Sequence, residues 1–150
     1  MAINNDQSQL EILESAKNIL LVDWPNESVP RALLSAGFTV YGYSPDGFTQ
    51  AGIVDQLENG QRGLSPRDKD ETGYLVFRPR QSRPEAIDIV NVFRPEEELP
   101  GIITNIVLPC GAKVLWLHPP VSSVKAKEIA AESNIVFIEG ANIAEIASEI

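Results

Sequence analysis

Short runs of apolar residues alternate with stretches of helical spacing along this chain, and that alternation limits its folds more than any other feature. The runs are Ile19 to Val22, Phe38 to Tyr43, Ile87 to Phe93, Lys113 to His118 and Ile135 to Ile138. Each is long enough for a strand, too short for a helix, and carries the β-branched or aromatic residues that suit a pleated surface. Helices are signalled between and around them. Asp6 with Gln9 forms a capping-box pattern ahead of Leu10, Leu13 and Ala16. Ser28 is placed to cap a second helix, with Pro30 in its first turn, Leu33 and Leu34 on its inner face and Gly37 at its end. Pro95 and Glu96 to Glu98 suit a helix start. Leu99, Ile102, Ile103, Ile106 and Val107 then follow at helical spacing towards Gly111. Ser122 to Ser133 reads as a further helix, and Asn142 with Glu145 opens the last one. Strands alternating with helices imply right-handed crossovers and parallel pairing. The expectation is an α/β fold: a Rossmann-like three-layer sandwich with a five-stranded, mostly parallel sheet.

Residues 48–86 break the pattern. Ser44-Pro45-Asp46-Gly47 reads as a turn, after which glycines and charges dominate. Tyr74 to Phe77 alone looks like a strand there, and a short helix is expected around Ile53 to Leu57. The segment is therefore read as an irregular insertion in one domain spanning residues 1–150. It also gathers basic charge. Arg62, Arg67, Lys69, Arg78, Arg80 and Arg83 are half of the chain's 12 lysines and arginines, opposed locally by Asp68, Asp70 and Glu71. Such a segment is either a solvated loop or a contact for an anion, with Arg78, Arg80 and Arg83 placed to add charge from one wall of a cleft.

Composition excludes several function classes. The chain carries a net charge of −9, which opposes non-specific binding to nucleic acid or to an anionic membrane. Its longest apolar runs fall far short of the roughly 20 residues a membrane span needs. No secretory signal pattern is visible at the start, so a cytoplasmic location is expected. The single cysteine, Cys110, excludes an internal disulfide and a multi-cysteine metal site, and no metal ligands are predicted. Neither the Gly-x-Gly-x-x-Gly fingerprint of hydride-transfer enzymes nor a Walker-type Gly-Lys-Ser/Thr is present.

In open α/β sheets, ligands bind beyond the carboxyl ends of the strands, where the connections change direction. Five segments occupy that edge: residues 23–28, 44–46, 93–94, 118–120 and 139–140. Arg94 is the leading basic side chain, able to stack on an adenine or to fork onto a phosphate, or else to pair with Glu97 or Glu98. Ser28 can cap its helix and offer an anion its hydroxyl and the following N–H groups. Ser44 and Pro45 shape a cleft wall or simply end a strand. His118, the sole histidine, reads as structural or ligand-lining, since no serine or cysteine stands at motif spacing to make it a catalytic base. A weaker enzymatic option pairs His118 with Glu139 or Asp23. Cys110 and Trp116 read as core.

Four stretches in order resemble the coenzyme A-binding-domain family, the stand-alone relatives of the nucleotide-binding domain of the succinyl-CoA synthetase alpha subunit. The opening helix running into Ala16-Lys17-Asn18-Ile19-Leu20-Leu21-Val22 is similar to the family's start. Ala36 to Pro45 resembles its hydrophobic strand ending in Asn-Pro. Ile87-Asp88-Ile89-Val90-Asn91-Val92-Phe93-Arg94 resembles its "vDlVdvFR" segment, followed by glutamates and a proline. Gly111-Ala112-Lys113-Val114-Leu115-Trp116-Leu117 is similar to its Gly-Ala-Lys…Trp strand. The resemblance covers most of residues 10–140 apart from the insertion. It implies non-catalytic binding of coenzyme A, an acyl-CoA or a related adenine nucleotide, at Asp23, Trp24, Ser28, Ser44, Pro45, Phe93, Arg94 and His118. A homodimer is also expected.

The departures are informative. The family's Gly-Ala-Ser turn after the first strand, whose backbone N–H groups can cradle a diphosphate, is here Asp23-Trp24-Pro25-Asn26-Glu27-Ser28. It has no glycine, and it brings carboxylates towards any phosphate. Two anions about 5 Å apart repel by a few kcal/mol at a protein-like dielectric. Asn-Pro has become Ser44-Pro45, and His118 replaces the glutamine that often follows the tryptophan strand. The alternative expectation is therefore a degenerate member that has lost nucleotide binding and acts as a protein-interaction module.

Overall fold

The computed structural model describes residues 5–58, 63 and 73–150, with side chains from Ser8 onward. Helix α1 (Asn5–Ser15) leads into β1 (Asn18–Val22), α2 (Ser28–Ser35) and β2 (Thr39–Ser44). Strands β3 (Gly47–Val54) and β4 (Tyr74–Pro79) follow, then β5 (Ile89–Val92). After β5 the chain winds through a 3₁₀ turn (Glu96–Glu98), helix α3 (Leu99–Ile102) and a π-helical turn (Ile103–Val107). The remaining elements are β6 (Val114–Leu117), α4 (Val124–Glu132), β7 (Val136–Ile138) and α5 (Ile143–Ala147).

The strands form one sheet in the order β4-β3-β2-β1-β5-β6-β7. β2, β1, β5, β6 and β7 are parallel, as the alternation predicts. Their residues are buried on both faces in the middle of the sheet, which explains why β1, β5 and β6 read as continuous apolar runs. One face packs Ile19, Leu21, Ile89 and Trp116 against α1, α2 and α5. The other packs Leu20, Val90, Leu115 and Leu117 against α3, its π-helical extension and α4. Trp116 is fully buried, and its indole N–H donates to the Ala141 carbonyl at 2.9 Å.

The sheet has seven strands rather than five, and it is mixed. Residues expected to form an irregular insertion instead make an antiparallel hairpin, with β3 pairing β2 and β4 pairing β3. No helix covers Ile53 to Leu57; Ile53 and Val54 pair with Leu75 and Tyr74 in the ladder. The reason is compositional. β3 alternates Phe48, Gln50 and Gly52 on one face with Thr49, Ala51 and Ile53 on the other. So few of these are strongly apolar that the two-residue period is faint. The turn itself is as expected, a two-residue loop, Pro45-Asp46, closed by Ser44 opposite Gly47. Gly47 has φ +126°, a conformation open mainly to glycine. Arg62, Arg67, Lys69, Asp68, Asp70 and Glu71 lie outside the described residues.

Three local expectations shift. Glu27 rather than Ser28 holds the N-cap position of α2, without a side-chain cap bond, and Asn26 Oδ1 instead accepts the Ser28 N–H at 2.9 Å. The helix after β5 is three successive windings, the last closed by a Leu108 N–H to Ile103 carbonyl bond of 3.0 Å. Its inner stripe is as predicted, with Leu99, Ile102, Ile103, Ile106 and Val107 all buried. Helix α4 starts one residue after Ser123, whose hydroxyl accepts the Ala126 N–H at 3.0 Å. The last helix opens as read, with Asn142 Oδ1 accepting the N–H groups of Ala144 and Glu145.

Candidate functional site

Parallel register brings the predicted edge segments level. Val22 pairs with Val92, which pairs in turn with Leu117, so Asp23, Phe93 and His118 leave the sheet side by side. Beyond these ends lie two cavities. The larger, about 560 Å³, runs from Asp23, Phe93 and Arg94 over Pro95 and Glu96 to Pro120, Val121 and Ser122. The smaller, about 370 Å³, lies towards β2 between Val22, Trp24, Tyr43, Ser44, Pro45, Glu98 and Ile102. Asp23 and Arg94 line both.

Arg94 is the hub. Its Nη1 meets Asp23 Oδ2 at 3.0 Å, while Nε and Nη2 fork onto Glu98 Oε1 and Oε2 at 3.1 and 2.7 Å. The Glu98 carboxylate and then that of Asp23 hold the guanidinium above its ordinary pKa. The side chain is 39% exposed, so its charge remains reachable from the cleft. Three lining carboxylates, Asp23, Glu96 and Glu98, face this one guanidinium among the described residues.

Asp23 replaces a glycine-compatible turn with an unusual conformation. Its φ is +65°, the left-handed region that aspartate tolerates better than most side chains. Its Oδ1 accepts the Trp24 N–H at 2.9 Å. Trp24 then folds back towards the hairpin and stacks on Phe77, with ring centroids 4.8 Å apart and planes 18° from parallel. Gly42 on β2 makes room for it: a Cβ there would lie 3.4 Å from two indole ring atoms and 2.8 Å from Thr49 Oγ1.

The predicted residues divide by position. Asp23, Trp24, Ser44, Pro45, Phe93 and Arg94 meet at the two cavities. Ser28 and His118 line neither. His118 is only 3% exposed and sits edge-on to Phe93 at 5.7 Å. Burial pushes its pKa below the ordinary imidazole value, against a smaller opposing pull from Glu145. The ring is thus packed against Phe93 and does not line the cleft. Arg78, Arg80 and Arg83 also lie off both cavities. Arg80 covers the Tyr41 ring at 5.1 Å and donates to Gln50 Oε1 at 3.1 Å. Cys110 is buried, and its thiol pKa is raised by desolvation despite the field of Arg83. Tyr43, Ile102, Val121 and Ser122 join the site without having been predicted. Tyr43 was readable as the last apolar residue before the Ser44-Pro45 turn, whereas Ile102 and Val121 carried only a core-like signal.

No group of three or more His, Cys, Asp or Glu among the described residues is arranged to hold a metal ion, and no described helix is long and apolar enough to cross a membrane. What the edge offers is an elongated cleft with apolar walls, Phe93, Pro95, Pro120 and Val121 on one side and Trp24, Tyr43 and Ile102 on the other. Among the described residues, Arg94 is the cation that stands between them.

Known proteins share this fold. The structure of cell-free ID.343 from Thermus thermophilus is similar over 97% of this chain and 98% of that one, with a TM-score of 0.65 at 19% identity. A hypothetical protein from Pyrococcus horikoshii OT3 is similar over 96% of this chain and 90% of that one, with a TM-score of 0.61 at 18% identity. At such identities the likeness is one of fold. No curated protein matches the sequence. The family described as CoA binding domain matches residues 22–145, from the last residue of β1 into α5, which takes in every residue of both cavities. The chain belongs to the CoA binding domain family.

Proposed function

We propose that the cleft binds coenzyme A, an acyl-CoA or a related adenine nucleotide without transforming it. The observation that carries this reading is Arg94, half-exposed between two cavities at the carboxyl edge of a parallel sheet. Its guanidinium suits a phosphate or the face of a purine. The apolar walls suit the uncharged parts of such a ligand, and a cavity of about 560 Å³ is within the range that holds a cofactor-sized molecule. Among the described residues, neither the cysteine nor the histidine is placed to act as an activated nucleophile or its base. Cys110 is buried with a raised thiol pKa, and His118 is packed beneath Phe93. A thermal-shift titration with coenzyme A, acetyl-CoA, NAD and ATP at low salt tests the reading. A ligand at a hundred times its Kd adds about 2.7 kcal/mol to stability. A saturable rise with coenzyme A supports it, and no shift with any of the four rejects it.

One observation favours a second reading, a degenerate member that acts as a protein-interaction module. The first turn has no glycine, and its Trp24 N–H is already engaged by Asp23. This reading expects no stabilisation by any adenine cofactor.

A further inference from the structure

We infer that Asp23 is a resident anion in the cleft, so that a phosphate-bearing ligand enters only by displacing its carboxylate. The inference rests on the proposed nucleotide-binding reading and adds to it a residue that sets which ligands the cleft prefers.

The two oxygens of Asp23 are used separately. Oδ1 takes the N–H of Trp24, the second residue after β1, at 2.9 Å. Oδ2 takes Arg94 Nη1 at 3.0 Å. A backbone N–H and a guanidinium converging on one pair of oxygens is the donor set by which proteins hold phosphate groups. The left-handed backbone at Asp23 points the carboxylate into this position. Glu98 takes Nε and one Nη2 hydrogen, so the side-on fork of the hub is filled, and Asp23 holds the Nη1 end that faces the first turn. With Glu96 and Glu98 also lining the cleft, an added diphosphate meets net negative charge, which is reduced when Asp23 gives up its place on Arg94.

The ligand class follows. Uncharged molecules that use only the apolar walls, such as an adenine nucleoside or pantetheine, bind without disturbing Asp23. Those carrying a diphosphate compete with it. Asp23 therefore makes the cleft discriminate against the charged part of a nucleotide, in contrast to a glycine at the same place.

Calorimetric titration of the full chain and of its Asp23→Asn and Asp23→Gly variants, with coenzyme A, pantetheine and adenosine as probes, tests this. Both replacements tolerate a positive φ, so the turn is kept, and circular dichroism checks the fold. The expected result is at least a tenfold gain in affinity for coenzyme A in both variants, with changes below threefold for pantetheine and adenosine. Unchanged or weaker coenzyme A binding by variants of a chain that does bind it overturns the inference and leaves the binding proposal standing. Binding that appears only in the variants supports the inference and rejects nucleotide binding by the natural chain. If neither the natural chain nor either variant binds coenzyme A, both are overturned.

Discussion

Arg94 and Glu98 meet fork to fork, Nε to Oε1 at 3.1 Å and Nη2 to Oε2 at 2.7 Å, four residues apart across the start of a helical segment. Such a pair fixes the plane of the guanidinium and leaves Nη1 pointing at Asp23. Because all three side chains are more than a third exposed, water screens the pairs, and their worth to folding is at most about 1 kcal/mol. Their worth to a ligand is different.

Arg94→Gln should therefore separate binding from stability. Its unfolding free energy from urea denaturation should lie within about 1 kcal/mol of the natural chain's. Coenzyme A affinity should fall about tenfold or more through loss of the charge-assisted fork, as calorimetry would read it. A large loss of stability with unchanged affinity would make Arg94 a folding residue.

Gly42→Ala probes the support of the first turn from beneath. The new methyl group would stand 2.8 Å from Thr49 Oγ1 and 3.4 Å from the Trp24 ring. Overpacking of this kind costs about 1–3 kcal/mol. The expected outcome is a lower denaturation midpoint with altered tryptophan emission, as the indole is pushed off Phe77. An unchanged spectrum would mean that Trp24 does not rest on β2.

His118 gives a pH dependence whose sign can be stated. Burial lowers its pKa in the folded chain, so the unfolded chain takes up the proton first as pH falls through about 6.5. The associated stability is complete above that value and is lost below it, at no more than about 1.4 kcal/mol per pH unit. Stability measured from pH 8 to pH 5 should fall less steeply in His118→Gln than in the natural chain. Parallel curves would show that the ring titrates alike in the folded and unfolded chains.

Asn91 lies in the middle of β5, fully buried, and no described residue hydrogen-bonds to its amide oxygen or nitrogen. Leaving such a group unmatched costs about 1–3 kcal/mol, so Asn91→Leu should raise the denaturation midpoint. A drop in stability would instead show that the amide is satisfied in the folded chain.

Much of the parallel half of this fold was legible from the sequence, because strands buried on both faces leave uninterrupted apolar runs such as Ile19 to Val22. The hairpin was not. Thr49, Gln50 and Gly52 carry almost no periodic signal, and β3 is held by its neighbours on either side rather than by its own propensity. At the site, position was readable and packing was not. The rule that ligands gather at strand ends found Asp23, Phe93, Arg94 and Pro120. It did not show that His118 turns under Phe93, nor that Arg80 lies over Tyr41, since both depend on which way a side chain leaves a strand. The acidic first turn was read as a penalty for phosphate; its role in holding Arg94 appears only once residues 71 positions apart are brought together.

The stacking of Trp24 on Phe77 ties the loop after the first strand to a hairpin more than fifty residues further along the chain. The two segments therefore change together. A glycine-rich loop grafted onto this scaffold in place of residues 23–28 would leave Phe77 facing an empty platform. A working transplant has to carry β3 and β4 along with the turn.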